Sequence, residues 1–134
     1  MKRVFADTSF YVASVNASDA LHEQALAVSD ACDGGLLTTE YVLVELGNYF
    51  ASRNRQLFLD LMEIIRQDPE TEIVPASSQL LEYGLRRYAE RPDKAWSLTD
   101  CISFVIMEQY QVQDALSSDH HFEQAGFRPL LSRV

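Results

Sequence analysis

Four short runs, Val4-Phe5-Ala6, Leu36-Leu37-Thr38, Glu72-Ile73-Val74-Pro75 and Asp114-Ala115-Leu116-Ser117-Ser118, are separated by longer stretches whose apolar residues recur at helical spacing. Strands joined through helix-length connections pair in parallel, because a crossover of that length carries the chain back to the same end of the sheet. The alternation therefore predicts one doubly wound α/β domain spanning residues 1–134, with a mainly parallel sheet of four to five strands and helices on both faces. Arg128-Pro129-Leu130-Leu131 is the candidate fifth strand, at an edge where a proline is tolerated. A chain of 134 residues buries roughly two thirds of its unfolded surface, so neither disulfide nor structural metal is required. Cys32 and Cys101, far apart in sequence, read as small reduced core residues.

The helical stretches carry their own punctuation. Thr8 or Ser9 offers a cap for a helix through Phe10-Tyr11-Val12-Ala13, and Ser18 or Asp19 caps one that Gly34-Gly35 stops. Thr39 to Phe50 and Arg53 to Gln67 follow as helices, the second plainly amphipathic. Ser77 or Ser78 opens another, Ser97 or Thr99 the next, and His120 to Gln124 forms a short last one.

No run approaches the roughly eighteen apolar residues of a membrane span, and only three apolar residues separate Lys2-Arg3 from Asp7, so no signal peptide is read; the expectation is a cytoplasmic protein. The net charge of -9 argues against non-specific nucleic-acid binding, which comes largely from phosphate neutralisation. The basic residues are unevenly placed, however. Arg86, Arg87, Arg91 and Lys94 form a dense group, readable as a solvated helix face or as a phosphate-contacting patch.

Acids carry the chemical signal. Asp7 and Asp119 each stand where a strand ends, at the carboxyl edge where open α/β sheets bind ligands. Glu45 lies inside a mostly apolar helix, between Val44 and Leu46, and Asp100 in the first turn of another, where the helix dipole alone would account for it. Were four ionised carboxylates to meet within about 5 Å, their six pairwise repulsions would sum to nearly 20 kcal/mol at an effective dielectric of 20, more than a small domain can bear. Such a site requires protons, cations or both. Oxygen-only donors with no clustering of cysteine or histidine point to Mg2+ or Mn2+ and not to zinc, and a carboxylate-held ion of that kind suits phosphate chemistry. His120-His121, beside Asp119, read as helix-start residues leading into a core Phe122, and Asp114 and Glu40 as peripheral acids.

The set Asp7-Thr8-Ser9, Thr38 to Glu45, Ser97-Leu98-Thr99-Asp100-Cys101 and Ala115 to Phe122, in that order and at that chain length, resembles a PIN domain, and more narrowly the VapC-like toxins of type II toxin-antitoxin pairs. The resemblance implies a PIN-like fold and a divalent-metal-dependent endoribonuclease, with the metal-binding and catalytic acids on Asp7, Glu45, Asp100 and Asp119. It carries Thr8 and Ser117 over as supporting hydroxyls. It also implies an RNA substrate, a cognate antitoxin and a homodimer. The alternative is a non-catalytic PIN-fold interaction module, which four retained carboxylates disfavour. Receiver-like and Asp-x-Asp phosphatase patterns fail at Phe5-Ala6-Asp7-Thr8-Ser9, and glycine-rich nucleotide loops are absent.

Overall fold

The computed structural model describes residues 2–132. Its elements are β1 (Val4–Ala6), α1 (Thr8–Val15), α2 (His22–Ala31), β2 (Leu36–Thr39), α3 (Glu40–Phe50), α4 (Arg55–Gln67), β3 (Thr71–Val74), α5 (Ser78–Glu90), α6 (Leu98–Gln109), β4 (Asp114–Leu116), α7 (His120–Gln124) and β5 (Arg128–Pro129). The five strands form one sheet in the order β3-β2-β1-β4-β5, every pair parallel. Because parallel crossovers are right-handed as a rule, this order implies β1–β2 and β2–β3 connections over one face and the return to β4 over the other. The strand order reverses between β1 and β4, in register Phe5↔Ala115 and Ala6↔Leu116. That reversal opens a crevice at the carboxyl ends of the two strands, the place where α/β sheets of this kind take their ligands.

β1 reads as a buried strand because all three of its residues are buried, and Phe5 is fully so. Phe104 and Phe122 meet edge to face with ring centroids 5.1 Å apart, and Phe122 lies 6.3 Å from Phe5, so α6 and α7 are pinned to β1 by aromatic packing. Every residue of α6 from Asp100 to Met107 is buried, which makes it the central helix of its layer. α5 covers it at close range: a Cβ on Gly84 would fall 2.3 Å from Ile102 Cγ1, so only glycine allows this approach.

Several local expectations are corrected. α1 starts at Thr8 with Asp7 at the cap position, not Thr8 or Ser9, because both hydroxyls are drawn into longer-range contacts. α2 is flanked by Leu21 and Cys32; Asp19 Oδ1 accepts from Leu21 N at 2.8 Å, and the helix stops before Gly34-Gly35. α4 begins two residues later than expected, capped by Asn54. β4 ends at Leu116, with the Ser117 hydroxyl on Asp7, and β5 shortens to Arg128–Pro129. Cys101 is buried as expected, whereas Cys32 is only half-buried, and both thiols are free. No described helix is long and apolar enough to cross a membrane.

Candidate metal centre

Above the crevice lies an open pocket of about 460 Å3 whose lining includes Asp7, Asp19, Glu45, Asp100, Asp119 and His121. Four of these acids come from separate places in the fold. Asp7 follows β1, Glu45 sits in the second turn of α3, Asp100 in the first turn of α6, and Asp119 just before α7. Among the described residues, no Lys or Arg lines the pocket.

Asp7 is fixed most tightly. It is 5 % exposed, its backbone N–H donates to Leu116 O at 3.2 Å, and its Oδ2 accepts from Ser117 Oγ at 2.9 Å and Ser9 Oγ at 3.3 Å. Burial, then the neighbouring Asp100 carboxylate, pushes its pKa up to about 7 from an ordinary 3.8, although the hydroxyl contact pulls the other way. Glu45 and Asp100 are likewise raised, in both cases chiefly by desolvation. Thr8 Oγ1 donates to Glu45 Oε1, which explains why Thr8 does not cap its own helix. Asp100 combines two tasks. Its N–H donates to Ser97 Oγ at 3.0 Å and its Oδ2 accepts from Ser97 N at 3.1 Å, a complete capping box, while the carboxylate still borders the pocket. Asp119 similarly accepts from His121 N at 2.9 Å at the start of α7. For Asp100 and Asp119 the capping role and the site role coexist.

The sequence reading missed three members. Ser9 joins Ser117 on the Asp7 carboxylate, 3.3 Å from the Ser117 hydroxyl. Asp19, expected only as a cap, borders the pocket from the loop before α2. His121, expected as a helix-start residue, places Nδ1 3.1 Å from Asp100 Oδ2 and 3.2 Å from Asp119 Oδ1. Carboxylates only accept when ionised, so this nitrogen is assigned the proton and ties the two acids together. The available signal was its position two residues beyond Asp119. Phe122, by contrast, is the core residue expected. Glu40 and Asp114 lie outside the pocket, engaged with Ala76 N at 2.6 Å and with Arg128 at 2.8 Å. Arg86, Arg87, Arg91 and Lys94 do not line it either. Arg87 pairs with Glu108 and Arg91 with Asp93, while Arg86 stands 5.7 Å from the Tyr83 ring centroid.

The donor set fits a hard divalent cation: carboxylate and hydroxyl oxygens, a strongly raised Asp7, and, among the described residues, no Lys or Arg beside the single imidazole of His121 to offset the acids. Asp119, His120 and His121 also bring one ligand atom each within 4.8 Å of one another. The His120 side chain is 73 % exposed and does not line the pocket, so the oxygen set is the better cation cradle.

No family model matches the sequence. The 23S rRNA-specific endonuclease VapC20 of Mycobacterium tuberculosis is 27 % identical over 124 residues, covering 92 % of this chain and 95 % of that protein. The crystal structure of M. tuberculosis VapC20, described as a sarcin-ricin loop cleaving toxin, superposes with a TM-score of 0.88 at 25 % identity, covering 96 % of this chain and 98 % of the other. The structure of VapBC2 from Rickettsia felis bound to a promoter DNA fragment shares the fold at a TM-score of 0.67 and 12 % identity, with 95 % and 96 % covered. That of FitAcB from Neisseria gonorrhoeae does so at 0.67 and 17 %, with 94 % of each chain covered. The chain is thus homologous to VapC20 over nearly its whole length, and its fold is that of VapC-type toxin structures.

Proposed function

We propose that residues 1–134 form one nuclease domain that hydrolyses RNA phosphodiester bonds with Mg2+ or Mn2+, as the cytoplasmic toxin of a toxin-antitoxin pair. The observation that carries this reading is the meeting of Asp7, Glu45, Asp100 and Asp119 in one pocket, at the switch point of a fold shared with a 23S rRNA-specific endonuclease.

Asp7, Glu45, Asp100 and Asp119 would hold the ion. When bound, it supplies Lewis acidity toward a phosphoryl oxygen and a water of lowered pKa. The remaining work belongs to the chain. Ser117 and Ser9 hold the Asp7 carboxylate in one orientation, Thr8 does the same for Glu45, and His121 spaces Asp100 from Asp119. Burial keeps Asp7 partly protonated near neutral pH while the pocket lacks a cation, so a proton and a metal compete for this group. An unneutralised cluster of acids repels phosphate, which makes cation binding a condition for seating the scissile group. Arg86, Arg87, Arg91 and Lys94 are the candidate contacts for phosphates beyond it.

The same reading expects a cognate antitoxin and a homodimer. Val44, Leu59 and Ile64 leave apolar surface exposed along α3 and α4 for such partners. Light scattering on the purified chain, alone and with the antitoxin, measures both assemblies. The decisive activity test is cleavage of a structured RNA by partner-free protein in EDTA, Mg2+ or Mn2+, beside Asp7→Asn. Cutting that requires the ion and vanishes in the variant is expected. Folded protein that cuts no RNA under any ion would favour a non-catalytic interaction module.

A further inference from the structure

A second groove, of about 560 Å3, opens beside the acid pocket, and Ala95 lines both. Its walls come from the end of α5, the loop into α6 and the start of α6, and include Tyr88, Arg91, Lys94, Trp96 and Cys101. The dense basic group does not act there as a unit. Arg86 and Arg87 stay outside, Arg87 tied to Glu108, so only Arg91 and Lys94 reach the groove. Arg91 makes a two-pronged contact to Asp93, with both bonds at 3.0 Å, and its guanidinium carbon stands 5.3 Å from the Trp96 ring centroid. Trp96 is itself anchored, 6 % exposed and donating from Nε1 to Gln124 Oε1 at 3.1 Å. The Arg91 guanidinium is thus braced by Asp93 along one edge and lies over Trp96, with 42 % of its side chain still exposed. Tyr88 is the opposite case, with 53 % of its surface open. Lys94 has no ion-pair partner among the described residues, so its charge is available to a ligand.

A flat cationic wall, an open phenol ring and an unpaired ammonium are the elements that hold one nucleotide of a single strand: stacking for the base, charge for the phosphate. The adjacent pocket fixes which strand. Lys94 and Ser97, the latter a partner of Asp100, are three residues apart, at most about 11 Å of chain. Neighbouring nucleotides of one strand can occupy both cavities.

We infer that the Tyr88–Arg91–Lys94 groove is a subsite for an unpaired nucleotide adjoining the scissile phosphate, with its base against Tyr88 and Arg91 and its phosphate at Lys94. The inference rests on the nuclease reading of the acid pocket and sharpens its substrate class. The target is RNA with a base free to leave the helix, a loop or bulge, because a paired and stacked base cannot enter the groove.

Binding separates the two ideas. Fluorescence anisotropy with a labelled hairpin RNA bearing an unpaired loop is run on the full chain with Asp7 intact, in Ca2+ in place of Mg2+ so that the acid pocket is neutralised while cutting is suppressed. Under these conditions Lys94→Gln is expected to weaken binding several-fold and to flatten the slope of log affinity against log salt by about 0.7, the value for one single-strand phosphate contact. Tyr88→Ala is expected to weaken it about tenfold with the slope unchanged. Arg55→Gln, which removes a charge that lines neither cavity, leaves binding as it was. Thermal melts verify that each variant is folded, as expected for side chains at the surface. Equal binding by the Lys94 and Tyr88 variants and their parent, or no loop binding by the parent, overturns the subsite. If the native chain cuts RNA in Mg2+ while these variants bind normally, the nuclease stands and the groove does not. If it cuts nothing yet the variants lose binding, the groove stands and the nuclease fails.

Discussion

Asp7 is the residue on which the pocket's electrostatics turn, since it is the most buried acid there with a pKa near 7. The folded state holds its proton more tightly than the unfolded chain does. The ion-free fold is therefore favoured at low pH and loses stability as pH rises from about 4 through 7, by an order of magnitude of about 4 kcal/mol for this group. Glu45 and Asp100 are shifted in the same direction and add to the trend. Thermal melts in EDTA should give a higher Tm at pH 5 than at pH 8, and Asp7→Asn should flatten the difference. Glu45→Gln and Asp100→Asn are expected to lower RNA cleavage by at least about a hundredfold while leaving Tm equal or higher, because each removes a like charge. Unfolding of these variants would show the acids to be structural caps. His121→Ala tests the tie between Asp100 and Asp119: a fall of about ten- to a hundredfold in activity or ion affinity, with the fold kept, is expected. Three of the acids were legible in the sequence at strand ends or in a helix's first turn, and Glu45 as a carboxylate inside a mostly apolar helix. Ser9, Asp19 and His121 were not, because each also has an ordinary local use near a helix start, and only tertiary placement reveals the second one.

At the scale of elements, α6 couples the core to the site. The capping box that starts the helix also aims Asp100. Ser97→Ala should cost about 1 kcal/mol of stability, measured by denaturant unfolding, and reduce cleavage as well, since it frees the carboxylate. On the other side of the helix, Gly84→Ala forces a methyl into Ile102, and a loss of about 1–3 kcal/mol is expected as α5 is displaced. An unchanged stability would mean that α5 does not pack on α6 as described. Helix and strand order followed directly from the alternation of short apolar runs and helical spacing. The errors fell at ends. Thr8 and Ser9 looked like caps by local chemistry, but Glu45 and the Asp7–Ser117 pair bind their hydroxyls. β4 ends at Leu116, although the Ser117 carbonyl still accepts from Leu131 N at 3.2 Å while its hydroxyl reaches Asp7.

For the whole molecule, a sheet order of β3-β2-β1-β4-β5 brings residues 7, 45, 100 and 119, scattered over most of the sequence, to one crevice. Topology does this, not local sequence, which is why Asp7 alone reads as a turn or cap, Asp100 as a first-turn acid and Glu45 as a solvent-facing or partnered helix residue. The net charge of -9 is consistent with the same arrangement: affinity for RNA is concentrated where a cation and a few basic side chains neutralise phosphate, instead of being spread over the surface. The central claim is that these carboxylates form one divalent-cation site in competition with a proton on Asp7. Calorimetric titration of Mn2+ into the purified chain at pH 6 and pH 8, beside Asp7→Asn, addresses it most directly. Saturable binding that tightens at the higher pH, releases protons at the lower one and is lost in the variant is the expected result. Binding of equal strength in the variant, or none in the folded native chain, would contradict it.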